Sequence, residues 1–130
     1  QEWHEIVKRH KESDVIKGEL LARLISGDMP EKFDEEFNKF LKDIKSDNQA
    51  MATRKASQLV LNYLKSLLPE LIGGSADLSG SNNTITSNSK SITEDLSGNY
   101  IYFGVREFGM NAIMNGMCLM VALFLMAVHF

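Results

Sequence analysis

The sequence predicts an α/β chain in which helices come first and a small sheet follows. Three observations carry this. Apolar residues recur at helical spacing through residues 3–68. Two short runs, Leu71–Ile72 and "YIYFG" at 100–104, then bring the apolar and β-branched or aromatic content of strands. The charge changes between the two parts: residues 1–50 hold 9 of the 14 basic and 12 of the 17 acidic side chains, leaving five of each sign for the remaining 80 residues.

Each element follows from local chemistry. Trp3, Ile6, Val7 and His10 lie on one helical face, and Ile16, Leu20 and Leu24 continue that helix or begin another. "SGDMP" at 26–30 ends it, because Gly27 and Pro30 both interrupt helices. Phe33, Phe37, Phe40, Leu41 and Ile44 form the stripe of a second amphipathic helix, an aromatic pattern that reads as core packing. "KSDNQAMAT" at 45–53 is a polar connection. Thr53 is placed to cap the next helix, whose apolar face is Ala56, Val60, Tyr63, Leu64, Leu67 and Leu68, and which stops before Pro69. Leu71 and Ile72 run into two glycines and small polar residues, as a buried strand does when it ends in a functional loop. Residues 79–99, rich in Ser, Asn and Thr, are expected to form an irregular surface loop with a turn near "SITED". A second strand at 100–104 precedes a helix from "VREFGMNAIMNGMCLM" and the apolar end "VALFLMAVHF".

A chain of 130 residues has room for about one domain. Its net charge of −3 offers no basic field, so nucleic acid is a poor partner. A single cysteine, Cys118, allows no internal disulfide, and no Cys/His group has zinc spacing, which fits a reducing, cytoplasmic setting. The charged N-terminus has no signal-peptide core. It also lacks an initiator Met, as does a chain that begins inside a longer protein or one trimmed at its start.

The motifs each have a plain reading beside the functional one. Residues 108–130 carry no Asp, Glu, Lys or Arg, long enough to cross a bilayer core. Asn111, Asn115, Gly109, Gly116 and His129 dilute the run and no basic anchor follows, so a buried helix plus a strand is expected instead of a membrane span. "GGSADLSGSN" matches neither the P-loop nor the dinucleotide fingerprint. His4, His10 and His129 lie far apart, and no Ser/His/Asp or Cys/His set assembles from spacing. Arg106 and Glu107 read as a pair at a helix start, where the helix dipole favours Glu. A carboxyl group after a strand and before an apolar helix is also where desolvation favours a protonated acid, so Glu107 is a candidate site.

Three separated stretches, "ATRKASQ" at 52–58, "LLPELIGGSADLSGSN" at 67–82 and "GNYIYFGVREFGMNAIMNG" at 98–116, resemble transketolase in order and spacing. The resemblance is close over residues 30–116 and looser over 1–29, a small middle portion of a full-length transketolase. It implies a partial thiamine-diphosphate-binding fold of pyrimidine type: residues 1–50 as a helical connector like the end of the diphosphate domain, and 51–130 as the incomplete start of the pyrimidine domain. It implies a cytoplasmic transferase that moves a two-carbon ketol unit between sugar phosphates. The cofactors are thiamine diphosphate and Mg or Ca, in a homodimer or with the remaining transketolase domains.

By that resemblance Glu107 hydrogen-bonds N1′ of the aminopyrimidine and favours the imino tautomer that takes a proton from the thiazolium. Scarce water would help a carboxyl that must share this proton. Arg54 and Ser81 match substrate-phosphate contacts, for which guanidinium and hydroxyl groups are suited. Asp77 matches a cofactor-side aspartate at the subunit interface, and Phe124 is the candidate for stacking on the pyrimidine. The chain departs from the family in having no Gly-Asp-Gly to Asn metal motif, no channel histidines and a shorter, glycine-poor segment after Gly116. The expectation is an enzyme piece inactive alone, with a non-catalytic interaction subunit or a membrane-tethered remnant as the alternatives.

Overall fold

In a computed structural model, residues 2–119 and the backbone of 124–128 are described. The elements are α1 (Glu2–Ser13), α2 (Val15–Ser26), α3 (Phe33–Asp47), α4 (Thr53–Leu67), β1 (Leu71–Ser75), β2 (Tyr100–Tyr102), α5 (Glu107–Cys118) and β3 (Phe124–Val128).

The first two apolar stretches are separate helices. Asp14 stops one and starts the other: its backbone is extended, and its side chain accepts the Lys17 N–H at 3.1 Å, an N-cap for α2. Gly27, with φ of 76°, closes α2 by donating to the Arg23 carbonyl.

The aromatic stripe of α3 packs on itself and on α4, as its spacing predicts, but it is half-buried and no residue of α3 reaches a core. Phe40 lies flat on Tyr63 of α4 with ring centroids 4.0 Å apart, and Phe33 stacks on Phe37. Leu41 falls off this stripe and is 44% exposed. Thr53 is not the cap of α4: it is the first helical residue, and extended Ala52 holds the N-cap position without a side-chain bond. The deepest face of α4 also differs from expectation. Leu61 and Lys65, neither in the predicted stripe, are buried along with the capping Leu68.

The sheet is parallel, in the order β2-β1-β3. β1 extends beyond the apolar pair through both glycines to Ser75, because β2 lies so close that only glycine fits. A Cβ on Gly74 would lie 2.1 Å from the Ile101 carbonyl oxygen. Beneath the strands, Ala76, Phe103 and Met110 form a buried cluster, with Ile101 and Met114 against it.

The charge-free run 108–130 divides into α5 and the strand β3, the helix plus strand expected of it. No helix among the described residues is long and apolar enough to cross a membrane. Of the α5 side chains, however, Met110 alone is buried, while Phe108 and Ile113 are exposed.

One ion pair ties the leading helices to the sheet. Arg23 of α2 donates to both carboxylate oxygens of Glu70, at 2.5 and 2.8 Å, just before β1. The Glu70 side chain is 2% exposed. Burial, the largest single effect, pushes its carboxyl upward, but the Arg23 hydrogen bonds, a backbone hydrogen bond and the Arg23 charge together hold it below the ordinary value of 4.5.

Two outcomes are expected. Arg23→Ala strands a buried carboxylate and should cost about 3 kcal/mol in urea unfolding at pH 7. Because the folded value is depressed, the stabilisation is present above pH 4.5 and is lost as pH falls through the folded value, so parent and variant should converge in acid. Gly74→Ala should cost at least about 2 kcal/mol, since β2 must move away, and should broaden the amide NMR signals of both strands.

Candidate functional site at the carboxyl ends of the strands

Parallel pairing sets Ser75 opposite Tyr102, so β1 and β2 end at one edge of the sheet. Ligands of open α/β sheets gather at such edges. Asp77 and Glu107 both lie just beyond it.

On the β1 side the chain turns sharply. Asp77 is exposed in a left-handed conformation, φ 65°, a region that Asp tolerates better than most residues. Ser79 is buried and Ser81 lies exposed in the following turn. On the β2 side, the Phe103 N–H donates to the Ser75 carbonyl at 3.2 Å, and Gly104, φ 65°, turns the chain towards α5. Arg106 precedes the helix and donates to the Phe103 carbonyl at 3.0 Å. It forms no ion pair with Glu107, so the expected charge pair is absent among the described residues.

Glu107 opens α5, where its charge faces the positive end of the helix dipole. It is half-buried, and its neighbours Val105 and Phe108 are 74% and 90% exposed. Tyr102 and Leu78 are exposed too. Glu107 is thus flanked in sequence by apolar side chains that are open to solvent.

Arg54 is exposed on the first turn of α4. One turn later Gln58 donates to the Ile85 carbonyl at 2.9 Å, which sets this end of α4 beside the loop that carries Ser81. No hydrogen bond joins Arg54 to Ser81 among the described residues. Phe124 opens β3, and its side chain lies outside the described residues, as does His129. No group of three or more His, Cys, Asp or Glu able to hold a metal occurs among the described residues.

The loop is less superficial than its composition suggests. Thr84, Thr86, Ser79 and Ser91 are buried in it. Tyr100, fully buried, shares a 2.6 Å hydrogen bond with Thr84 and donates to Ser79 at 2.9 Å. These residues escaped the sequence reading because Ser and Thr mark exposed loops as often as buried ones. A tyrosine beginning a buried strand was the available signal, since its hydroxyl needs a partner nearby. Two polar atoms of this region, Ser75 Oγ and Asn82 Nδ2, are buried without a hydrogen-bond partner among the described residues.

Residues 49–130 match the family described as "Transketolase, pyrimidine binding domain". The chain is 58% identical over 101 residues to the transketolase of Buchnera aphidicola subsp. Baizongia pistaciae, covering 78% of this chain and 15% of that protein. It is 45% identical over 116 residues to transketolase 2 of Escherichia coli K12, covering 89% and 17%. Among solved structures, the Pichia stipitis transketolase in complex with sedoheptulose-7-phosphate superposes with a TM-score of 0.87 at 34% identity, over 100% of this chain and 20% of that one. The transketolase of Leishmania mexicana gives 0.79 at 28% identity, over 98% and 18%. This chain thus spans about a sixth of the length of the curated relatives it matches. With the domain match covering most of its residues, the chain belongs to the transketolase family.

Proposed function

We propose that this chain contributes the pyrimidine side of a thiamine-diphosphate site to a transketolase reaction, the transfer of a two-carbon ketol unit from a ketose phosphate to an aldose phosphate, and is inactive without the remaining transketolase domains. The observation that carries this is Glu107: a half-buried carboxyl on the first turn of α5, at the strand edge, beside exposed apolar side chains.

The donor set fits one end of the cofactor. An aminopyrimidine needs a carboxyl partner for N1′ and apolar surface for its ring, and Glu107, Val105 and Phe108 offer both. The unpartnered buried hydroxyl of Ser75 supports a polar group meeting this edge. The other end does not fit: the described residues include no acidic or histidine cluster for Mg or Ca, so metal and diphosphate belong to other domains. When bound, thiamine diphosphate supplies the carbanion-stabilising chemistry. Glu107 holds a proton between its carboxyl oxygen and N1′, and does so best once water is excluded. Arg54 and Ser81 orient the sugar phosphate by charge and hydrogen bonding. By its likeness to the family, Asp77 would stand on the cofactor side at the subunit boundary.

The same reading divides the chain at residue 50, with 1–50 as the end of the diphosphate domain and its connector and 51–130 as the start of the pyrimidine domain. It makes the protein cytoplasmic and the active form a homodimer. The exposed apolar side chains Val105, Phe108, Ile113 and Leu119, on and beside α5, support a covering partner.

Calorimetry with thiamine diphosphate and magnesium, on this chain mixed with a transketolase diphosphate domain, should show saturable binding. Glu107→Gln should weaken it by about ten- to a hundredfold, the loss of a charged hydrogen bond. If the mixture assembles but neither the cofactor nor Glu107→Gln affects it, the chain is an interaction subunit and the catalytic reading fails.

A further inference from the structure

Lys65 is a buried charge for which the site above has no use. It sits on α4 one turn after Leu61 and one before Leu68, on the face turned to the protein interior, and is 7% exposed. Its Nζ donates to Ser89 Oγ at 2.9 Å and to Asn99 Oδ1 at 3.4 Å, and stands 5.5 Å from the centre of the Tyr100 ring. Among the described residues no carboxylate pairs with it. Its partners are two neutral oxygens and an aromatic face.

Each of those partners is a fastening point of the loop 76–99. Ser89 Oγ accepts the Thr86 N–H at 2.9 Å, and the Ser89 N–H donates to the Thr86 carbonyl, which closes a tight turn. Asn99 clamps the loop on both sides, accepting from the Lys90 N–H at 3.1 Å and donating to the Asn88 carbonyl at 3.1 Å. Tyr100 reaches back through its hydroxyl to Thr84 and Ser79. One ammonium thus touches the turn, the clamp and the ring whose hydroxyl holds the start of the loop.

We propose that Lys65 is a positioning residue, a lock that fastens the loop carrying Asp77 and Ser81 onto α4 through Ser89, Asn99 and the face of Tyr100. What the loop positions rests on the functional reading above, whereas the lock itself does not depend on it. The lock is also sensitive to pH. Burial lowers the Lys65 amine from its ordinary value of 10.5, and opening the loop returns it to water. The open state then binds the proton more tightly, so closure strengthens as pH rises from the lowered value towards 10.5 and is level below that window. The other ionisable groups on these elements are Arg54, Lys55 and Tyr63 on α4, Tyr100 and Tyr102 on β2, Asp77, Glu94 and the Lys90–Asp95 pair in the loop, and Glu70, which Arg23 engages.

Amide hydrogen exchange, expressed as protection factors between pH 7 and 10, tests this on the chain without any cofactor. In the parent, protection of the Thr86 and Lys90 amides should rise with pH. In Lys65→Met, which keeps the apolar stem, their protection should drop about tenfold at pH 10 and lose its pH dependence, while α3 amides stay unchanged. Ser89→Ala should lower protection at Lys90 more in the parent than in Lys65→Met, because the Lys65–Ser89 bond is common to both changes whereas the Thr86 N–H bond to Ser89 is lost in either background. Protection within twofold of the parent in Lys65→Met, or a pH dependence that survives in it, overturns the lock. Should Lys65→Met not fold, Ser89→Ala decides alone, an unchanged Lys90 amide counting against the proposal. Because no cofactor is present, a failed lock and a failed cofactor site give separate results.

Discussion

The close parallel pairing of β1 with β2 is the constraint on which the rest depends. Parallel strands point the same way, so the residues leaving them emerge at the same edge, and Asp77 and Glu107, 30 positions apart in sequence, both follow strands that end there. The pairing is possible only because position 74 lacks a side chain where the Ile101 carbonyl approaches. The Phe103 N–H to Ser75 bond carries the pairing one residue past β2, and the turn at Gly104 sets Glu107 at a helix start. A carboxylate at the mouth of the most apolar segment is thereby explained physically. It is the one position of that segment where a helix terminus favours negative charge.

The connection between these strands is unusual in its means of support. A parallel crossover is most often a helix that buries an apolar face against the sheet, and residues 76–99 contain none. Their hydroxyl and amide groups are held instead by Tyr100, by Asn62, which accepts from the Ser87 N–H, and by Lys65. Hydrogen bonds are directional, so such a loop has a definite shape as long as its anchors are satisfied, and each lost anchor leaves a buried polar group behind. The side chains at the anchors are correspondingly more consequential than those at the loop's exposed positions.

How much of this was legible follows from which signals are local. Helix spacing, the break at Gly27 and the stop before Pro69 are short-range effects, and the helices they imply are present. The cap assigned to Thr53 failed by one position, as helix boundaries do when no side-chain bond fixes them. Lys65 was missed because a charged residue is ordinarily read as exposed. Its spacing from Leu61 and Leu68 was visible, but its neutral partners come from residues 24 and 34 positions away. Glu107 was found as a candidate from its place between strand and apolar helix. Its specific task, and those of Arg54, Asp77 and Ser81, came only through resemblance, since nothing in their spacing specifies a pyrimidine or a sugar phosphate.

The physical state of α5 links the site to assembly. A helix apolar on most of its faces belongs in an interior, yet among its described side chains Met110 alone is buried, and Phe108 beside Glu107 is almost wholly in water. Two requirements therefore coincide at one place. The apolar residues need covering, and in the proposed role of Glu107 the shared proton would need water removed from around it. A single docking event on the outer side of α5 would satisfy both, because the surface that buries Phe108 also desolvates the carboxyl next to it. On the proposed reading, chemistry and association would thus be coupled, the glutamate gaining its working environment only with the partner in place.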